Sequence, residues 1–322
     1  MTDRVLRFEH QAMFTVFELM IVADDRRLAV SAANAVFQKV DRLEQMCSRF
    51  LDASEVALIS RLKPGETFRV APELMDLLLT ATRVCAATGG RFDVTVGSVM
   101  DRLREVKHRW RALTARELED ALAACGMNRL VIDTENLLVA VRPDRLGRPS
   151  PLELDFGAVA KGYALDVACD LLEKDWDFTD FLVHGGTSTV AARGSMEAGG
   201  GGWPVNVGGD WRGRAGLETV RMSGGALSGS GFEVKGAHVV DVRRGGAAVR
   251  HSAAWACAPT AAVADALSTA SLGMRPAEIR RACEELAGSG VLTARGQPEW
   301  LDRVRSPVRR YGEFPVSSGV RI

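Results

Sequence analysis

Between residues 12 and 287 the apolar positions of this chain switch repeatedly between two-residue and 3.6-residue spacing, without the strand–helix–strand alternation of a doubly wound sheet. The run AMFTVFELMIVAD (12–24), rich in Val, Phe and Ile, predicts a first strand. A helix is expected over about 28–47, with Val36, Val40, Leu43 and Cys47 on one face. A short helix follows Ser54, a suitable N-cap. Pro72 opens another, whose face is Leu74, Leu77, Leu78, Ala81 and Cys85 and whose end is Gly89-Gly90. Beyond a helix near 115–125, RLVID and LLVAVRP read as strands, and 152–174 reads as strand, loop and helix. FLVHG, WPVNV, GAHVVDV and AAWACAP are further strands, GSMEAGGGGW is a Gly-rich hairpin tip, and helices are expected at 260–273 and 276–287. This irregular mixture predicts an α+β fold.

Charge and cysteine usage exclude several classes. The 41 basic and 41 acidic residues cancel, so nothing marks a nucleic-acid surface or an acidic arm. No apolar run approaches the roughly 18 residues of a membrane span. The six cysteines stand singly and form no CxxC pair, which suits reduced core thiols in a cytoplasmic protein. A periplasmic placement is the alternative for a chain whose leader has been removed.

Five short segments have residue types suited to chemistry. In the first, Asp155 ends an expected strand, the small residues of GAVA follow, and a helix begins near Lys161. Backbone N–H groups beside a helix N-terminus suit phosphate oxygens, and Lys161 adds a point charge. A plain tight turn would have the same composition, and neither GxxxxGK[ST] nor GxGxxG is present. In the second, Asp265 and Thr269 stand four apart on one helix face with Ser268 beside them, an oxygen-only set suited to Mg²⁺. Thr back-bonding to its own helix is the ordinary alternative. The third, Thr88-Gly89-Gly90-Arg91-Phe92-Asp93-Val94-Thr95-Val96-Gly97, places a cation and an aromatic ahead of an expected alternating strand; Phe92 is equally suited to a core. The fourth is the Gly185-Gly186 turn after His184, where backbone can approach a ligand closely. The fifth is Ser228-Gly229-Ser230-Gly231 ahead of His238-Val239-Val240-Asp241.

In this order the segments resemble the ApbE-type FAD:protein FMN transferases. That family's pattern is S-x-F/Y, SE-[IL], T-G-G-x-F-D-x-T-V-G, D-L-G-x-[IV]-A-K-G-[YF]-x-x-D, G-G-D, S-G, H-x-I-D-P and A-D-A-[LW]-[AS]-T-A. It is matched by Ser48-Arg49-Phe50, Ser54-Glu55, 88–97, 155–166, Gly185-Gly186, Ser230-Gly231, His238–Asp241 and 264–270, with Met13 at an early Met-Gly-Thr. The chain departs at Thr187 (Asp in the pattern), Gly229 (Thr), Val242 (Pro) and Ser60 (Asn), and these altered positions are expected on the nucleotide and acceptor side.

The resemblance implies mixed sheets with packed helices, related to the T-fold, in two intimate halves with FAD between them. It implies one domain over 1–300 and a C-terminal tail over 301–322. By motif position, Asp265, Thr269, Ser268 and the Ala158 carbonyl are implied Mg²⁺ ligands. Met13, Phe50, Arg91, Phe92, Asp93, Asp155, Lys161 and Val239 fall on FAD contacts, and His238, Asp265 and Lys161 are implied catalytic groups. The implied reaction moves FMN from FAD to a Ser or Thr hydroxyl of an acceptor protein and releases AMP. An FAD pyrophosphatase and a non-catalytic flavin-binding protein are the alternatives that use the same residues.

Overall fold

The computed structural model describes residues 4–108, 113–197, 200–208, 218–231, 240–241, 246–247, 250–294 and 309–313. The chain forms two compact units: Met1–Glu44 with Val159–Gly236 and Arg250–Ile322, and Gln45–Ala158 with Ala237–Val249.

The first unit is built on an eight-stranded sheet. Its strands are β1 (Val5–Ala12), β2 (Thr15–Val22), β6 (Phe181–Gly185), β7 (Thr189–Arg193), β10 (Ala226–Gly231), β13 (Ala253–Ala258), β14 (Gly290–Ala294) and β15 (Arg309–Gly312), adjacent in that order. Every neighbouring pair is antiparallel. Helices α6 (Ala160–Lys174) and α7 (Ala261–Ser271) pack on one face, against each other and against β7 and β10. The close crossing depends on Gly162, where an added Cβ would lie 2.2 Å from the Ala261 carbonyl oxygen. Ten of the 11 residues of α7 are buried, the polar Asp265, Ser268 and Ser271 among them. The opposite face is covered by the hairpin of β8 (Trp203–Val207) and β9 (Glu218–Met222), where Trp203, Val207, Val220 and Met222 pack on Leu182, Leu227 and Leu292. Helix α1 (Arg26–Cys47) starts in this unit, and His10 of β1 stacks on its Phe37 and bonds its Asp41 at 2.7 Å. Helix α8 (Pro276–Glu285) packs near β14 and β15.

The second unit holds α2 (Glu55–Ser60), α3 (Pro72–Ala87), α4 (Gly97–His108), α5 (Ala115–Ala123), and a three-stranded sheet of β3 (Thr67–Arg69), β4 (Leu130–Asp133) and β5 (Leu138–Val141), with β5 central. A two-stranded pairing joins β11 (Val240–Asp241) to β12 (Gly246–Ala247). Arg129 is 2% exposed and donates to the carbonyls of Ala124, Arg142, Ser150 and Pro151, tying the connections together.

Most expected elements are present. Ser54 caps α2 by accepting from the Ala57 amide, and Gly89 and Gly90 end α3 with φ of 57° and 76°. Four expectations are corrected. The strand expected over 12–24 is β2, preceded by β1 in a hairpin that the apolar run did not reveal. Residues 92–97 turn rather than extend, because Asp93 accepts from both the amide and the hydroxyl of Thr95, and Gly97 then starts α4. Residues 152–155 are not a strand: their links to neighbours are single bonds such as Asp155 N–H to Val94 O and Gly97 N–H to Glu153 O, not a ladder. The segment GSMEAGGGGW joins two different sheets instead of closing a hairpin. Within the expected tail, Arg309–Gly312 is β15 at the sheet edge. Among the described residues no helix is long and apolar enough to cross a membrane.

Candidate functional site

In the first unit the pairing register gathers hydroxyls and one carboxylate at one end of the large sheet. Phe17 pairs with Gly185, Gly185 with Thr189, and Thr189 with Ser228, so the start of β2, the β6–β7 turn and the last residues of β10 share that end. Ser228 and Ser230 lie two apart on β10 and so face the same side, toward α7. Two strand residues advance about 6.8 Å and four helix residues about 6 Å, so the strand and the helix match in step. Ser228 therefore meets Asp265, while Ser230 meets Ser268 and Thr269 one helical turn further on.

Asp265 is 3% exposed and is the centre of this cluster. Its Oδ2 accepts from Lys161 Nζ at 3.3 Å and from the Gly162 amide at 3.3 Å. Its Oδ1 lies 3.2 Å from Ser228 Oγ and 3.4 Å from Thr189 Oγ1. Ser268 and Thr269 both donate to the Asp265 backbone carbonyl, at 2.9 and 3.2 Å, and Ser230 Oγ lies 2.8 and 3.1 Å from their hydroxyl oxygens. The expected set Lys161, Asp265, Ser268 and Thr269 is thus assembled. Thr189 was not among the expected site residues, and Ser228 and Ser230 were expected only as part of the fifth segment, with no role; the S-x-S alternation on β10 was the available signal that both face one side.

The donor chemistry is specific. Among the described residues no three His, Cys, Asp or Glu side chains gather, so a nitrogen- and sulfur-rich centre has no ligands there. One buried carboxylate with hydroxyl and carbonyl oxygens suits a hard divalent cation that takes its remaining ligands from a phosphate. The residues present therefore fit Mg²⁺. Asp166 also serves the site, since its carboxylate accepts from the Ala261 and Ala262 amides at 2.6 and 2.8 Å and anchors the start of α7. Its burial raises the carboxyl to about 6 despite those two bonds.

The other expected residues of this unit are placed differently. Met13 lies in the two-residue β1–β2 turn at the same sheet end, with φ of 49°. Close approach at Gly186 is made by Thr15, whose Oγ1 would lie 2.2 Å from an added Cβ, and not left open for a ligand. Gly229, expected on the nucleotide and acceptor side, points away from Ser228 and Ser230, and Trp255 covers it: an added Cβ would lie 2.7 Å from the indole Cδ1. That departure is a packing exchange on the far face of the sheet. Thr187 is exposed in the β6–β7 turn. His238, Val239 and Val242 lie outside the described residues.

In the second unit, Arg49 links the expected residues. It pairs with Asp155 at 3.0 Å and Asp101 at 2.5 Å and reaches the Gly97 carbonyl, with its own side chain 9% exposed. The second oxygen of Asp155 accepts from the Gly157 amide at 2.9 Å, directly before Ala158. Phe50 is 62% exposed, with the guanidinium groups of Arg49 and Arg104 over its ring. Asp93 is held by Thr95, and burial raises its carboxyl against the opposing hydrogen bonds of Thr95 and Met127. Arg91 is half-buried, while the Phe92 ring is 5% exposed and packs in the interior of this unit.

Comparison with known proteins agrees with this geometry. The sequence model of the ApbE family matches residues 13–292. A curated relative from Salmonella typhimurium, named FAD:protein FMN transferase, is 26% identical over 280 residues, covering 81% of this chain and 76% of the relative. The crystal structure of the ApbE protein from Thermotoga maritima superposes with a TM-score of 0.77 at 24% identity, covering 95% of this chain and 97% of that one. The apo form of the Pseudomonas stutzeri flavinyl transferase ApbE gives 0.77 at 20% identity, covering 97% and 96%. With the family's sequence pattern matched across most of its length and its fold reproduced, the chain belongs to the ApbE family.

Proposed function

We propose that this protein is a Mg²⁺-dependent FAD:protein FMN transferase. The observation that carries the reading is the Asp265 carboxylate, buried beside the Lys161 ammonium and one turn from Ser268 and Thr269. The name of the Salmonella relative supports the same activity. Asp265, Thr269, Ser268 and the Ala158 carbonyl would hold Mg²⁺, which when bound neutralises the diphosphate and stabilises the departing phosphate. Lys161 adds fixed positive charge toward the same phosphates. Met13, Phe50, Arg91, Asp93, Asp155, Lys161 and Val239 are assigned to the dinucleotide, with the buried Phe92 ring packed behind its neighbours.

The acceptor's Ser or Thr hydroxyl oxygen bonds to the FMN phosphorus, the P–O bond to AMP breaks, and AMP leaves with the electron pair. Such transfers depend on alignment and charge neutralisation more than on covalent help. The hydroxyl proton goes to a base, for which Asp265 and His238 are the candidates; an Asp265 that holds Mg²⁺ leaves the role to His238. Incubation with FAD, Mg²⁺ and a flavinylatable acceptor tests the reading. It predicts flavin fluorescence bound to the acceptor together with AMP. AMP with free FMN and no label would assign a pyrophosphatase instead, and neither product would leave a flavin-binding protein.

A further inference from the structure

We propose that Thr189 and Ser228 are positioning residues that orient the Asp265 carboxylate and keep one lone pair of its Oδ1 for the cation; this rests on the reading above. Thr189 and Ser228 are direct cross-strand partners of β7 and β10, 2% and 0% exposed. Their hydroxyl oxygens are 2.9 Å apart, Ser228 Oγ is 3.2 Å from Asp265 Oδ1, and Thr189 Oγ1 is 3.4 Å from it. Two hydroxyls supply two protons for these three contacts. The distances favour a relay: Thr189 donates to Ser228, and Ser228 donates to Asp265.

The proton count has a consequence for the carboxylate. An ionised carboxylate has about four lone-pair sites. Lys161 Nζ and the Gly162 amide take two on Oδ2, and Ser228 takes one on Oδ1. Among the described residues, one site on Oδ1 is left. Were Thr189 to donate to Asp265 as well, that site would be filled. The cross-strand pairing thus turns Thr189 toward Ser228 and fixes which oxygen meets the metal. Groups that orient a ligating side chain are worth about 10–100-fold in metal affinity.

The test is equilibrium FAD binding, followed by flavin fluorescence as Mg²⁺ is titrated, for wild type, Ser228→Ala, Thr189→Val and Thr189→Ser. Ser228→Ala is expected to raise the half-saturating Mg²⁺ concentration about 10-fold while leaving FAD affinity without Mg²⁺ unchanged. Thr189→Val should raise it to a smaller extent, and Thr189→Ser, which keeps the hydroxyl, should restore the wild-type value. Thermal melting establishes that each variant is folded; if Ser228→Ala is not, the Thr189 pair decides. An unchanged Mg²⁺ requirement in the folded variants, or an equal loss of affinity with and without Mg²⁺, would overturn the positioning role. A wild type whose FAD binding ignores Mg²⁺ would instead overturn the functional reading itself.

Discussion

The Asp166 carboxylate on α6 accepts the Ala261 amide at 2.6 Å, so the helix bearing Asp265 starts on a side chain of its neighbour. Charge at a helix N-terminus is favourable, but burial dominates here and raises this carboxyl from 3.8 to about 6. An acid raised in the folded state binds more protons folded than unfolded between those two values. Its contribution therefore falls as pH rises through that window, and the full cost, about 3 kcal/mol, is present above it. Asp166→Asn removes the titration. Urea midpoints at pH 4 and pH 7 should show wild type losing stability relative to the variant as pH rises; parallel profiles would contradict this.

Gly162→Ala tests the α6–α7 crossing. The added methyl must displace the Ala261 carbonyl, and the helices then separate at the Lys161–Asp265 contact. Overpacking of this kind costs about 1–3 kcal/mol. Thermal unfolding should show that loss, and Mg²⁺-dependent FAD binding should weaken with it.

Arg49→Met leaves Asp155 and Asp101 facing each other without their shared cation. Both carboxylates keep some solvent, so a loss of about 2 kcal/mol is expected, below the range for a fully buried pair. Added salt should recover part of it by screening. Urea unfolding at low and high NaCl checks both the loss and its salt dependence.

Phe14→Gly should stabilise the protein. Met13 and Phe14 form a two-residue hairpin turn with φ of 49° and 59°, and the Phe14 side chain is 97% exposed, so packing does not offset the strain. Left-handed backbone costs a non-glycine residue about 1–2 kcal/mol, and glycine returns about 0.5–1 kcal/mol as backbone entropy. A net gain of about 1 kcal/mol should raise the urea midpoint. The family pattern has Gly at this position.

What could be read from the sequence was what is local. The i, i+4 spacing of Asp265 and Thr269 placed both on one helix face, and Lys161 followed from the small-residue loop between Asp155 and the next helix. The contacts of Thr189 with Ser228 and of Arg49 with Asp155 join residues 39 and 106 apart, and only strand register or loop packing brings them together. Strand β1 was missed because VLRFEHQA has charged residues among its apolar ones, as suits an edge strand. The alternation in 92–97 looked like a strand, but the Asp93–Thr95 hydrogen bonds outweighed it. Gly229 looked like a change in the site because spacing along a strand does not reveal which face the site occupies.

The most direct measurement is AMP release from FAD across a Mg²⁺ titration, for wild type and for Asp265→Ala with its fold verified by circular dichroism. Wild type is expected to release AMP in a Mg²⁺-dependent way, and the variant to lose at least about 100-fold, equivalent to about 3 kcal/mol of transition-state stabilisation. A folded Asp265→Ala protein that releases AMP at the wild-type rate and with the wild-type Mg²⁺ requirement would contradict this.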